Sequence, residues 1–169
     1  MSLFLHISIH ILSGLLAGYF VWRLWKKPLP AFLSSFLGAV VIDFDHFIDY
    51  FLAFGFNFSA SWRINYFIHG YQFLKTDKIY ILFHGWEYVI IFLILGLLIF
   101  KNKTAKTVFV ALALGMLFHL IYDTNANEGM RFRSYSIIYR AENNFNLEKA
   151  VTPEHWIDHQ SRKGILQTL

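Results

Sequence analysis

The chain has 169 residues, of which 56% are hydrophobic, 20% aromatic and only 15% charged. With a mean hydropathy of +0.44, that balance is too apolar for an ordinary soluble domain of this size and indicates a small integral membrane protein. The formal charge of +4 comes without a Lys/Arg-rich stripe, so no nucleic-acid partner is expected, and the lack of cysteine excludes disulfides, thiolate metal sites and cysteine nucleophiles.

The first apolar run, Leu3 to Trp25, follows no basic leader and is longer than a signal-peptide core. It reads as a retained membrane span with its N-terminus outside. Lys26-Lys27-Pro28-Leu29-Pro30 ends it and turns the chain. A second span is expected from about Ala31 to Phe54, with Gly55 and Asn57 at its exit. Phe56 to Lys78 is aromatic but punctuated by Arg63, His69, Gln72 and Lys75, the composition of a segment lying in the membrane interface. The third span is expected from about Ile79 to Phe100, and the fourth from about Thr107 to Tyr122, extended by Asp123 and Thr124. Each is near the roughly 20 residues that cross a hydrocarbon core.

After Tyr122 the chain turns polar, and Arg131, Arg133 and Arg140 are expected in a surface helix or loop, with Arg63, Arg131 and Arg133 as interface anchors or phosphate partners. Thr152-Pro153-Glu154 signals an N-cap followed by proline, predicting a helix to about Lys163. The expected fold is therefore all-α. A four-helix up-and-down membrane bundle would occupy residues 1–124, with an interfacial segment at about 56–78 and a polar helical tail over 125–169. Lys26, Lys27, Lys101, Lys103 and Lys106 lie in the loops after spans one and three, which the positive-inside rule makes cytoplasmic.

Each apolar segment carries a pair of possible metal ligands: His6/His10, Asp43/His46, His84/Glu87 and His119/Asp123. Ionisable groups within spans are costly and normally face a bundle interior, where they pair or bind something. In an antiparallel bundle the start of span one, the end of span two, the start of span three and the end of span four share one side. That side is the extracytoplasmic one if the lysine loops are inside. The ligands expected from this pattern are His10, Asp43, His46, His84, Glu87, His119 and Asp123, with His6 read as a core histidine. At 100° per residue, Asp43, His46 and Tyr50 share a helix face, while Asp45 and Asp49 share another. Asp45 then orients a ligand or bridges two ions, and Asp49 reaches the interface. His155 and His159 read as a solvated helix face, and His69 as either a headgroup anchor or a late addition to the site.

Three stretches carry a resemblance: His10-Ile11-Leu12-Ser13-Gly14, Asp43-Phe44-Asp45-His46, and Gly115-Met116-Leu117-Phe118-His119-Leu120-Ile121-Tyr122-Asp123. With the four-span layout they resemble a bacterial inner-membrane metal-dependent hydrolase family of the LexA-regulated type and, more distantly, zinc-dependent phospholipase C. The family's third motif, His-Arg-Gly followed closely by Thr-His-Ser, is replaced here by Phe83-His84-Gly85-Trp86-Glu87, with His69-Gly70 upstream. The resemblance implies a hydrolase of a bacterial or archaeal inner membrane.

Taken together, the residues point to one or two divalent ions, zinc ahead of manganese or iron, held by histidine and carboxylate. Asp43 or Asp45 would bridge two ions, and Glu87 or Asp123 would ligate or act as general base. Glu87 and Asp45 are the catalytic candidates, and a lipid or lipid-linked phosphoester is the substrate. A divalent-metal transporter, a membrane di-iron oxidoreductase and a set of purely structural helix clamps are the competing readings.

Overall fold

The computed structural model describes residues 3–56, 64–127 and 129–166, and these are helical, with no β-strand among them. In chain order the elements are α1 (Leu3–Trp25), α2 (Pro28–Ala39), a 3-10 turn at Val41–Phe44, α3 (Asp45–Phe54), α4 (Ile64–Ile68), α5 (Tyr71–Thr76), α6 (Trp86–Ile94) continued by a π turn at Leu95–Ile99, α7 (Lys103–Ala126), a 3-10 turn at Phe132–Tyr135, α8 (Ile137–Glu142), α9 (Leu147–Ala150) and α10 (Pro153–Leu166). They form two units, each assembled from two stretches of chain: Met1–Ile42 with Phe83–Ala126, and Asp43–Leu82 with Asn127–Leu169.

In the first unit, α1 and α7 are long and apolar enough to cross a membrane. α1 has the bounds that the lysine–proline punctuation predicts: Lys26 turns to positive φ, and Pro28 opens α2 at a position where its missing N–H costs nothing. α7 starts earlier and ends later than expected, at Lys103 and Ala126. The second expected span is interrupted at Val40, where α2 stops and a 3-10 turn begins. The third starts late. Residues 79–85 are not helical, and helix begins only at Trp86, after Gly85 in an extended conformation. The helix from Trp86 to Ile99 is accordingly shorter than the other two.

Small residues bring α2 and α7 into backbone contact. A Cβ on Gly38 would collide with the Leu112 carbonyl, and one on Gly115 with the Ser35 carbonyl. Close approach of this kind is how helices associate in lipid, where no hydrophobic force draws them together. Val21, Ala31, Val110 and Ala111 form the buried cluster at the other end, sealed by Trp22 and Trp25.

The second unit is built on buried polar anchors. The Asp49 carboxylate, 3% exposed, accepts the backbone N–H groups of Tyr80 at 2.8 Å and Ile81 at 3.0 Å. Those bonds tie down the N–H groups of residues 80 and 81, and Ile81 turns to positive φ, so the apolar stretch after Ile79 does not continue as helix. Asp49 is thus an internal clamp rather than an interface residue. Arg140, expected at a surface, is 1% exposed and donates to the carbonyls of Ser134 at 2.6 Å and Ile81 at 2.9 Å. α10 begins after Thr152, whose hydroxyl accepts the His155 N–H at 3.4 Å. His159, expected to be solvated, is 4% exposed and lies 2.9 Å from the Asp77 carboxylate, to which Lys163 is also paired. Arg63 lies outside the described residues.

Two predictions follow from this packing. Gly115→Ala places a methyl against rigid backbone and should cost about 1–3 kcal/mol. Gly164→Ala, with nothing within 4 Å of the new Cβ, should be neutral or stabilise by up to about 1 kcal/mol. Chemical unfolding of both variants in detergent checks the contrast. The second prediction concerns acid. Burial depresses the His159 pKa below 6.5, against the pull of Asp77 and with added repulsion from Lys163. Burial opposes the Asp77 charge, but Lys163 and His159 outweigh it and hold its pKa below 3.8. A depressed histidine loses stability as pH falls from 6.5 toward its folded value, and a depressed aspartate loses it below 3.8. The thermal midpoint should therefore fall in two steps on acidification, and His159→Ala should remove the upper one.

Candidate metal centre

Antiparallel packing of α1 and α7 sets the start of one beside the end of the other. His6 and His10 come one turn apart on α1, and His119 and Asp123 one turn apart on α7, so each pair presents to the same side of its helix. His84 arrives from the non-helical stretch just before α6. The five side chains converge, and His10, His84, His119 and Asp123 are all at most 2% exposed.

The Asp123 carboxylate sits between two histidine pairs. Oδ1 faces His10 Nε2 at 3.3 Å and His6 Nε2 at 3.9 Å. Oδ2 faces His119 Nε2 at 3.2 Å and His84 Nε2 at 3.7 Å. Within each pair the imidazole nitrogens are close: 2.9 Å between the Nε2 atoms of His6 and His10, and 3.0 Å between those of His84 and His119. The rings of His10 and His119 stack at 3.8 Å, and Tyr122 packs edge-on against His10.

One tautomer is fixed by the backbone. His119 Nδ1 lies 2.8 Å from the Ala39 carbonyl oxygen. A carbonyl can only accept, so Nδ1 carries the proton and Nε2 turns its lone pair into the cluster. That carbonyl is available because α2 ends at Ala39, leaving its last carbonyls without helical partners. The break at Val40, unforeseen in the sequence, therefore serves the site directly.

Whether these donors fit a metal ion can be judged from their spacing. With zinc–nitrogen bonds near 2.0–2.1 Å, tetrahedral ligand atoms sit about 3.3 Å apart. The nitrogen–nitrogen and nitrogen–oxygen separations here run from 2.9 to 3.9 Å. Asp123 Oδ1, though buried, accepts no hydrogen bond, which is what a carboxylate oxygen awaiting an ion looks like. His84, His119 and Asp123 each offer an atom within 4.8 Å of the other two. This buried Asp/His group has the donors to hold a metal ion.

Other sequence-derived candidates lie as follows. Glu87 is half-buried in the first turn of α6, and its carboxylate reaches back over Gly85, the residue that follows His84 in the chain. Asp43, Asp45 and His46 belong to the second unit. There His46 Nε2 is 3.8 Å from Asp43 Oδ1, both side chains about a third exposed, while Asp45 is fully buried. Among the described residues of that unit, the buried aspartates are thus Asp45 and Asp49, while Asp43 and His46 are partly exposed. The residue that sequence reasoning set aside is His6. Its spacing to His10 is the signal for it, since two imidazoles at i and i+4 near the start of an apolar helix rarely both serve the core.

Elemental analysis of the protein in mild detergent tests the grouping. His10→Ala and His84→Ala should each lower bound metal, and Asp123→Asn should lower it more than either, because its two oxygens face both pairs. Metal unchanged in all three folded variants would overturn the assignment. No protein-family model, curated protein or solved structure matches this chain.

Proposed function

We propose that the chain is a membrane-embedded, metal-dependent hydrolase in which Asp123 and the four histidines around it would hold one or two divalent ions, zinc being the metal assigned. The observation that carries this reading is the placement of one carboxylate between two histidine pairs, each oxygen facing one pair. With two ions, His6 and His10 would hold one and His84 and His119 the other. A divalent ion so held lowers the pKa of a bound water toward neutrality and polarises a phosphoryl oxygen.

The chain's own residues supply the rest. The Ala39 carbonyl orients the His119 ring, and the near-complete burial of His10, His84 and His119 excludes bulk water. Glu87, folded back over Gly85, is the group assigned to take the proton of the attacking water onto its carboxylate. A di-iron oxidoreductase would want more carboxylates than the one that stands here against four histidines.

In this reading the protein lies in a bacterial or archaeal inner membrane. α1 and α7 are full passes, the broken helix from Pro28 to Phe54 is a third, and Trp86–Ile99 is a short fourth that completes the up-and-down bundle. Lys26 and Lys27 follow α1, and Lys103 and Lys106 open α7, at the end away from the histidines. The positive-inside rule then puts the centre at the extracytoplasmic headgroup level, where a lipid phosphoester is the substrate at hand. The resemblance to LexA-regulated inner-membrane hydrolases and to zinc-dependent phospholipase C supports the same class.

The test is phosphorus NMR on protein reconstituted into vesicles of phosphatidylglycerol and phosphatidylethanolamine. Metal-loaded protein should release a soluble phosphate headgroup, and chelation should stop it. Glu87→Gln should lower turnover about 10²–10⁴-fold with metal content retained. Absence of turnover across a panel of lipid phosphoesters by fully loaded protein would overturn the hydrolase assignment.

A further inference from the structure

Beside the histidine cluster, α2, α6 and α7 leave a groove of about 350 Å³. Leu37 and Val41 line it from the end of α2 and the turn after it, Phe83 from the stretch before α6, Phe92 from α6, and Leu112 and Met116 from α7. We propose that this groove seats one acyl chain of a membrane phospholipid, so that the unit carrying the metal centre also selects its substrate by the tail. The inference rests on the membrane-hydrolase reading and names the substrate's apolar half.

Three observations carry it. The first is chemical. No Asp, Glu, Lys, Arg or His lines it, and the side-chain heteroatoms are the Tyr88 hydroxyl and the Met116 sulfur. A water-soluble ligand would need several placed polar groups to fix it, whereas a hydrocarbon chain needs none. The second is where the groove opens. Leu37 and Phe83 on its edge are 49% and 45% exposed, and α7, which forms one wall, is long and apolar enough to cross a membrane. In a bilayer, what surrounds that opening is lipid chains at bulk concentration.

The third is register. Phe83 directly precedes His84, and Met116 lies one helical turn before His119. A chain lying along the groove therefore ends next to the imidazoles, where a headgroup phosphate has to be for hydrolysis. The volume is near the low end of the roughly 300–1,000 Å³ typical of ligand sites, which suits one chain rather than a whole lipid. Selectivity would then follow chain length and unsaturation, with the groove supplying binding energy remote from the reacting bond.

The experiment counts retained lipid. Full-length protein is equilibrated with vesicles of phosphatidylglycerol and phosphatidylethanolamine, extracted into mild detergent and delipidated. Native mass spectrometry then reads bound phospholipid, and elemental analysis reads metal on the same sample. Wild type should keep roughly one phospholipid per chain, and so should Leu33→Trp, a control on α2 that is exposed and outside the groove. Leu112→Trp, which fills the groove with an indole, should retain roughly tenfold less with its metal intact. Leu37→Trp at the exposed rim gives the same readout should the deeper variant not fold.

Equal retention by the groove variants and wild type, or no retained lipid in wild type, would overturn the groove. Lipid retained selectively by wild type and Leu33→Trp, but with metal at background throughout, would uphold the groove and strike the metal reading instead.

Discussion

A carboxylate that is 2% exposed has to be matched, and the way Asp123 is matched organises the first unit. Isolated, such a charge would cost several kcal/mol. Here each oxygen faces two imidazole nitrogens, contributed by α1 on one side and by α7 and the approach to α6 on the other. The arrangement needs α1 and α7 antiparallel, needs both helix ends at one level, and needs His84 delivered from a segment that is not yet helical. The main departures of this unit from four regular spans serve that convergence. The late start of α6 delivers His84, and the early stop of α2 frees the carbonyl that holds His119.

The site depends equally on residues that contribute no ligand atom. Gly38 and Gly115 let α2 and α7 touch backbone to backbone, and Gly115 is one helical turn before His119 on the helix that carries Asp123. Larger side chains there would push α7 outward and lengthen the separations of 3.2–3.9 Å around the carboxylate. Precision at the ligands is thus inherited from close packing one turn away. In lipid that packing comes from small residues and van der Waals contact, since apolar area offers helices no preference for one another over the surrounding chains.

How much of this was legible in the sequence depends on how far apart the deciding residues are. The bounds of α1 were readable because Lys26, Lys27 and Pro28 are local signals, and the same holds for Thr152-Pro153 at the start of α10. The pairs His6/His10 and His119/Asp123 were readable from periodicity, and the structure brings both to one cluster. The start of α6 was not, because the stretch after Ile79 is as apolar as a helix and what holds it out of helix is Asp49, bonded to Tyr80 and Ile81 from more than thirty residues upstream. His159 looked solvated for the same kind of reason: its partner, Asp77, is 82 residues away in the chain. Arg140 looked like a surface cation because nothing local announces the carbonyls of Ser134 and Ile81 that bury it. Periodicity reports which face of a helix is apolar. It does not report which distant backbone group will claim a polar side chain.

Both units are discontinuous in the chain, each made of two stretches that alternate with those of the other. This interleaving constrains biosynthesis. α1 and α2 leave the ribosome long before the rest of their own unit, and His6 and His10 must wait, without their carboxylate, until the last turn of α7 has been made. The histidine–aspartate cluster therefore cannot assemble piecemeal as the chain is made. It closes late and in one event, so any truncation before Asp123 yields a chain with apolar helices and unmatched histidines rather than a smaller working protein. For the same reason, splitting the gene between Leu82 and Phe83 would sever both units at once.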